Sequence, residues 1–208
     1  MKLNEIAYPS GDKDWSKTKI KEFLNTFHMS YNIHKDGVDL YNSFASPMEW
    51  SRIPFKIKTV TGSFSLSYTY ITDLSNGPDI VAGNFNLVGC RRLTTIEHLP
   101  QQIYGMLKCY DTGINSFHNI HKYLKRLDGE LQCNLVTNML GILFIKNLPK
   151  IRINYETSKS LQGDNWKEFA DKCERVERLF NEALRTGEDV HSFQEKLIEM
   201  GYGEQAKI

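Results

Sequence analysis

Polar and apolar residues alternate in four short segments near the middle of the chain, each of which begins with a glycine. The segments are GSFSLS at 62–67, GNFNLV at 83–88, GMLKCY at 105–110 and GELQCN at 129–134. Apolar side chains stand two and four residues after each glycine, so a short strand would point them to one side. The glycines are 21, 22 and 24 residues apart, within the roughly 20–29 residues of a leucine-rich repeat.

The segments after these strands also recur, as ITDL at 71–74 before Pro78 and LTTI at 93–96 before Pro100. One short strand cannot bury its own apolar row, so successive units must stack. We attribute the glycines to turns that need unusual backbone dihedrals. Stacking predicts two buried ladders, one of Phe64, Phe85, Leu107 and Leu131 and one of Leu66, Leu87, Cys109 and Cys133.

A helical pattern and a hairpin precede the repeats. Apolar residues at 20, 23, 24 and 27 share one face of a helix, and Asp14-Trp15-Ser16 offers its N-cap. Residues 29–33 and 38–40 alternate like strands around the turn Lys35-Asp36-Gly37. We expect residues 1–50 to form an N-terminal cap.

Two helical patterns come after the repeats. The first begins after Asp164, a candidate N-cap, and ends at Gly187. The second runs from about Asp189 to Met200, with Phe193, Leu197 and Ile198 inward. Residues 156–208 are therefore predicted to form a C-terminal two-helix cap, with a docking hairpin for a partner as the alternative.

The complete pattern predicts an α+β fold. We expect a short, irregular leucine-rich-type solenoid over residues 51–155, with parallel strands, one per repeat, between the two caps. Open strand edges at the ends of such a stack invite pairing, so a homo-oligomer stays an open alternative.

Composition narrows the class of protein. The chain is 40% hydrophobic and 25% charged, which is ordinary for a folded domain, and its net charge of +1 gives no overall basic excess. Nucleic acid is therefore not the expected partner. No apolar run has the roughly 18 residues of a transmembrane helix, and residues 1–15 lack the apolar core of a secretory signal. We expect a cytoplasmic protein without a membrane partner.

Candidate catalytic and metal-binding residues are few. The four cysteines form no CxxC pair, which favours buried, reduced thiols over a zinc site. His118 and His121 are spaced for one face of a helix but lack an evident third ligand. Asp111-Thr-Gly113 matches the aspartic-protease triplet without its paired lobes. No phosphate-binding loop and no nucleophile elbow occurs. We expect no enzymatic activity, no cofactor and no metal.

Outward positions on the predicted strands are the main candidates for binding, because solenoids bind partners on extended surfaces. A second candidate is a basic and aromatic patch, which would suit a protein or, as an alternative, nucleic acid. The outward columns are Ser65, Asn86, Lys108 and Gln132, then Ser67, Val88, Tyr110 and Asn134. The patch comprises Arg91, Arg92, Tyr104, Lys122, Tyr123 and Arg126.

The repeats resemble those of leucine-rich-repeat-like proteins of unknown function from large tailed bacteriophages, whose unit reads GDFxCSxNxLTSLEGAPKxV. GNFNL at 83–87 with LTTIEHLP at 93–100, GSFSL at 62–66 with ITDLSNGP at 71–78, and RIPFKI at 52–57 carry the likeness, which covers roughly residues 30–155. The ladder asparagine of that family is missing from most units here. The resemblance implies a phage origin and a small protein in the cytoplasm of an infected bacterium.

We predict a non-enzymatic interaction module of a phage. This prediction combines the repeats, the outward columns on their strands and the resemblance to phage proteins. We expect it to bind, and in doing so to inhibit, a host defence or metabolic protein through the sheet face of the solenoid. The alternatives are a structural or assembly component of the virion, a nucleic-acid binder and an enzyme of unrecognised type.

Overall fold

Parallel strands stacked in about six turns form the body of the protein. A computed structural model describes residues 15–156 and 165–207. Within them the chain coils as a β-solenoid in which each regular turn contributes one short strand to each of two sheets. None of the helices in these residues has the length and apolarity needed to span a bilayer.

The two sheets have six strands each. The first sheet has the order β1-β2-β4-β6-β8-β10, and only its β1–β2 pair is antiparallel. Its strands are Tyr31–Ile33, Val38–Leu40, Ile57–Val60, Ile80–Val81, Gln102–Ile103 and Arg126–Leu127. The second sheet is entirely parallel, in the order β3-β5-β7-β9-β11-β12. Its strands are Phe44–Ala45, Phe64–Ser65, Phe85–Asn86, Leu107–Lys108, Leu131–Cys133 and Ile151–Ile153.

Side chains of successive turns meet in the ladder that the sequence predicts. Phe64 pairs with Phe85, Phe85 with Leu107 and Leu107 with Leu131 on neighbouring strands of the second sheet. All four are fully buried. The ladder continues to Phe44 at one end and Ile151 at the other. Burial of this row, together with the equally buried Leu66, Leu87, Cys109 and Cys133, holds adjacent turns together.

Two strands per turn replace the single strand predicted for each repeat. The additional strands β4, β6, β8 and β10 lie just before the repeat glycines and hydrogen-bond to one another in parallel. Their sequence signal is weak because three of them have two residues, of which one is buried. The predicted solenoid is confirmed, but the prediction of one strand per repeat is wrong.

The repeat glycines lie where successive turns pass closest to each other. A Cβ atom on Gly105 would stand 2.6 Å from the carbonyl oxygen of Gly83, and one on Gly129 would stand 2.5 Å from that of Gly105. The amide of each glycine donates to the previous glycine's carbonyl, at 2.9 to 3.1 Å from Gly83 to Gly129. None of the four has a left-handed φ. The predicted reason for these glycines, unusual dihedrals, is therefore wrong, because close backbone approach requires them.

A short side-chain ladder accompanies the glycine stack. Ser43 Oγ accepts from the amide of Ser63, Ser63 Oγ from that of Asn84, and Asn84 Oδ1 from that of Met106. Each side chain therefore binds the backbone of the following turn. The side chains that accept these bonds are those of two serines and one asparagine. They differ from the regular asparagine ladder of the phage family described above.

The N-terminal elements agree with the sequence prediction. Helix α1 spans Lys17–Thr26, and Ser16 caps it by accepting from the amide of Lys19 at 3.3 Å. The hairpin β1–β2 pairs Tyr31 with Leu40. Phe23 of α1 contacts an aromatic group at the first turn, with ring centroids 4.9 to 6.2 Å away in Trp15, Phe44, Trp50 and Phe55.

Two helices come after the last strand, as predicted, and two short helical segments lie between β9 and β12. Gly187 ends helix α3, Trp166–Thr186, in the left-handed conformation, and Asp189 caps helix α4, Val190–Glu199, through two backbone amides. Asp164, the predicted cap of α3, lies outside the described residues. Ile198, predicted to point inward, is 55% exposed, because Phe193 and Leu197 alone fill the inner face of α4. The helices are α2 Ile120–Tyr123, the 3₁₀ helix Met139–Phe144, α3 Trp166–Thr186 and α4 Val190–Glu199.

Side chains of α3 bind the outer edge of the last strand. Asn181 accepts from the amide of Ile151 at 2.7 Å and donates to its carbonyl at 2.9 Å. Glu177 accepts from the amide of Ile153 at 2.7 Å. The backbone groups that β12 would otherwise present to another strand are therefore satisfied by the helix.

Candidate partner-binding face

The first predicted column forms a straight row across the outer face of the second sheet. Ser65 pairs with Asn86, Asn86 with Lys108 and Lys108 with Gln132. Each is half-buried and lies beside a buried ladder residue. The row, here called the outer row, includes Ala45, Ser65, Asn86, Lys108, Gln132 and Arg152. Since strands of a sheet are roughly 4.8 Å apart, these side chains are regularly spaced.

The second predicted column is less open than expected. Ser67, Tyr110 and Asn134 are half-buried, but Val88 is only 7% exposed, so its prediction as an accessible side chain is wrong. Next to Val88, the ring of Tyr68 packs against Gly89, where an added Cβ atom would overlap the ring. A bulky side chain from the preceding turn therefore covers this part of the face.

Two asparagine side chains on this face accept hydrogen bonds from backbone amides. Asn86 Oδ1 accepts from the amide of Val88 at 3.1 Å, and Asn134 Oδ1 accepts from that of Asp111 at 3.3 Å. These bonds hold the two asparagines in fixed orientations. Their NH₂ groups remain as donors for a partner.

Carboxylates on and beside the face are held by neighbouring cations. Glu130, which is 9% exposed, lies 2.9 Å from Arg152 and 3.6 Å from Lys150. Asp111 accepts from Arg91 through both of its oxygens, at 3.1 and 3.2 Å. Both acidic groups are therefore compensated within the chain.

Two exposed tyrosines project from the loop after β5. Tyr68 is 63% exposed and Tyr70 is 53% exposed. The guanidinium of Arg92 lies 5.0 Å from the ring centroid of Tyr70, in the range of a cation–π contact. Together Tyr68, Tyr70, Arg91 and Arg92 form a surface that we call the tyrosine–arginine ridge.

Sequence analysis did not identify the two tyrosines of this ridge. The available signal was a Tyr-x-Tyr sequence at the place where the next two turns have Gly89 and Asp111. Tyr68 has a φ of 59°, a left-handed conformation it shares with Gly89 and Asp111. Such a conformation is unusual for a tyrosine, so the residue type, and not the backbone, distinguishes this turn from the next two.

The predicted basic and aromatic patch is divided in the structure. Arg91 and Arg92 come after the second sheet's strand β7, whereas Arg126 belongs to the first sheet, where it lies 4.7 Å from the ring centroid of Tyr104 and pairs with Asp128. Lys122 and Tyr123 line a separate cleft. Its volume is about 170 Å³, and its walls are Lys56, Ser75, Asp79, His98, Leu99, Gln101, Lys122 and Tyr123. The members of the predicted patch therefore belong to different sheets and loops.

The side chains that were considered as candidate catalytic residues are buried or form contacts with other residues of the chain. Burial raises the pKa of the Cys109 thiol to about 12 and that of Cys133 well above its ordinary value. Asp111 is engaged by Arg91. His121 packs on the ring of Phe144, and burial lowers its pKa. In the part of the chain that the structure describes, no group of three His, Cys, Asp or Glu side chains is arranged to hold a metal ion.

Comparisons with known proteins identify no relative of this chain. No family model, no curated protein and no solved structure matches the chain. A function for this protein has therefore to be inferred from the geometry of its own residues.

Proposed function

We propose that this protein is a non-enzymatic binding module that holds another protein on the outer face of its second sheet. The outer row carries this proposal, since it presents polar or charged side chains from five of its six strands on one regular surface. The adjoining ridge supplies tyrosine and arginine, the residue types enriched at the energetic centres of protein interfaces.

The resemblance to proteins of large tailed bacteriophages supports a host protein as the partner, bound in the cytoplasm of the infected cell. Occupying the surface of a host defence or metabolic protein would be enough to inhibit it. Such inhibition needs affinity but no chemistry, which agrees with the buried thiols of Cys109 and Cys133.

Within this proposal the repeat is a leucine-rich-type unit whose returning segment has acquired a second strand. The terminal elements act as caps. Phe23 of α1 packs on the aromatic first turn, and Asn181 of α3 binds the edge of β12. Caps of this kind would leave the sheet faces, rather than the ends, available for partners.

Site-specific photo-crosslinking tests the binding face. A benzoylphenylalanine at Gln132, in the outer row, is expected to crosslink one defined protein when the chain is produced in bacterial cells and irradiated. The matched control carries the same group at Gln102, on the first sheet. Absence of a discrete product from Gln132, or the same product from both positions, would contradict the proposal.

A further inference from the structure

We propose that the segment bound on this face is acidic, and that Arg92 and Lys108 are the cations that recognise its carboxylates. This inference rests on the proposed function and narrows the chemistry of the partner.

Arg92 and Lys108 are the cations of the face that lack an acidic partner. Neither forms an ion pair with any described residue, in contrast to Arg91 with Asp111 and Arg152 with Glu130. Asp111 and Glu130 are thus compensated, and Glu130 has two cations within 4 Å. The positive charge that remains uncompensated attracts a negative partner.

The side chain of Arg92 is also held in position by a neighbouring ring before any partner binds. Its guanidinium lies 5.0 Å from the ring centroid of Tyr70, which restricts the side chain before a partner arrives. A guanidinium binds a carboxylate through two parallel N–H donors, and a stacked ring does not consume those donors. Restricting the side chain beforehand reduces the entropy lost on binding.

Lys108 occupies the centre of the outer row, between Asn86 and Gln132. The amide groups on either side give hydrogen-bond donors near its ammonium group. An extended acidic segment lying along the row would place one carboxylate at Lys108, with amide donors adjacent. The ridge after β5 would hold a second carboxylate at Arg92.

An acidic protein segment fits this face better than nucleic acid. Nucleic-acid binding depends on neutralising several phosphates at once, whereas only two cations here are unpaired. The occupant with the best charge complementarity is therefore a peptide chain with spaced Asp or Glu residues.

Fluorescence anisotropy with a labelled peptide of alternating Glu and Gly tests the inference on the full chain. We expect saturable binding that weakens as salt rises. The double variant R92E/K108E is expected to bind about tenfold or more weakly, since close charge pairs at interfaces contribute on this scale. Circular dichroism and thermal unfolding would verify that the variant is folded.

The matched control is K17E/K21E, which makes the same change of net charge at two exposed lysines of α1. It should bind the peptide like the parent chain. Equal loss in both variants, no binding by the parent chain, or equal binding of a Gln-Gly peptide would overturn the inference. Tighter binding of a thymidine oligonucleotide than of the peptide would overturn it in favour of nucleic acid.

The crosslinking experiment separates this inference from the proposed function. A product from Gln132 that persists in R92E/K108E would leave the binding face standing and refute the acidic partner. Loss of the product in R92E/K108E but not in K17E/K21E would support both. No product in the parent chain would count against the face itself.

Discussion

At the scale of single residues, Gly105 shows how closely the turns of the solenoid approach. Its α-carbon faces backbone atoms of Gly83 in the previous turn, with its amide 3.0 Å from that glycine's carbonyl oxygen. A Cβ atom here would stand 2.5 Å from Asn84 Oδ1 and 2.6 Å from the carbonyl group of Gly83, and this backbone carbonyl cannot rotate away as a side chain can. The spacing of the strands is therefore fixed by backbone contact as well as by the buried ladder.

We predict that Gly105→Ala destabilises the protein. The new methyl group would stand 2.6 Å from the carbonyl of Gly83, and overpacking of this kind costs about 1–3 kcal/mol. Urea unfolding would measure the loss. Gly203→Ala is the control, since no atom lies within 4 Å of its added Cβ. An unchanged midpoint for Gly105→Ala would show that the turns can separate to admit a methyl group.

The buried thiols give a second residue-scale prediction. All four cysteines are buried and unpaired, so we expect a thiol reagent such as DTNB to leave the native protein unmodified. It should label four thiols after unfolding in guanidinium chloride. A thiol that reacts rapidly in the native state would contradict the packing of the core around it.

The raised pKa of the Cys109 thiol also leads to a prediction about the stability of the protein at alkaline pH. Its folded pKa is about 12, above the ordinary value of 9.0, so only the unfolded chain releases this proton between these values. The free energy of unfolding should therefore fall above pH 9, by about 1.4 kcal/mol per pH unit for this thiol. Cys109→Ala should show a slope smaller by one proton in urea unfolding across this range. An identical slope in both proteins would refute the assignment.

At the scale of elements, helix α3 replaces the strand that would otherwise extend the second sheet. Asn181 bonds both the amide and the carbonyl of Ile151, as a further strand would. An exposed parallel edge promotes association with other chains. The helix therefore stabilises β12 and blocks its edge.

We predict that Asn181→Ala costs about 1–3 kcal/mol, because it leaves two backbone groups of Ile151 without their partner. Hydrogen exchange should accelerate in β12 before it does in β7. The control is Asn165→Ala, at the start of the same helix, whose side chain makes no capping bond. Similar exchange rates in both variants would show that the edge contact contributes little.

Sequence periodicity predicted some elements better than others, for identifiable reasons. The second sheet was predictable because Phe64, Phe85, Leu107 and Leu131 alternate with polar residues at a repeated distance from glycine. Strands β6, β8 and β10 of the first sheet were not, since a strand of two residues is too short to establish a period. Ile198 was placed inward because an i, i+1 pair of apolar residues on a helix does not reveal which of the two is buried.

The candidate site was predictable to the same extent as the strands that carry it. Alternation alone placed Ser65, Asn86, Lys108 and Gln132 in one row. Alternation also placed Val88 outward, although its side chain is buried. Contacts between loops of different turns leave no periodic signal, and the tyrosine–arginine ridge was missed for that reason.

At the scale of the whole molecule, each turn contacts mainly the turns on either side of it. The ladder partners of Phe85 are Phe64 in one turn and Leu107 in the next. Stability in such a stack is approximately a sum of units and their interfaces. A substitution that weakens one turn should consequently destabilise the adjacent turns more than distant ones.

We predict that Phe85→Ala loses about 3–5 kcal/mol, as is usual when a buried phenylalanine is truncated. Hydrogen exchange measured by mass spectrometry should show the greatest loss of protection in β5, β7 and β9 and the least in β12. Phe144→Ala, at a side chain that is 50% exposed, is the comparison and should cost far less. A uniform loss of protection along the chain would indicate that the solenoid unfolds as one unit.

Hydrogen bonding between turns, rather than within them, makes the length of this protein adjustable. Duplication of one complete unit, from one glycine to the next, would insert a new coil whose amides and carbonyls match those above and below. The outer face would grow by roughly 4.8 Å, while both terminal segments kept their present contacts. Gain or loss of whole units would thus lengthen or shorten the outer face while the scaffold stays the same.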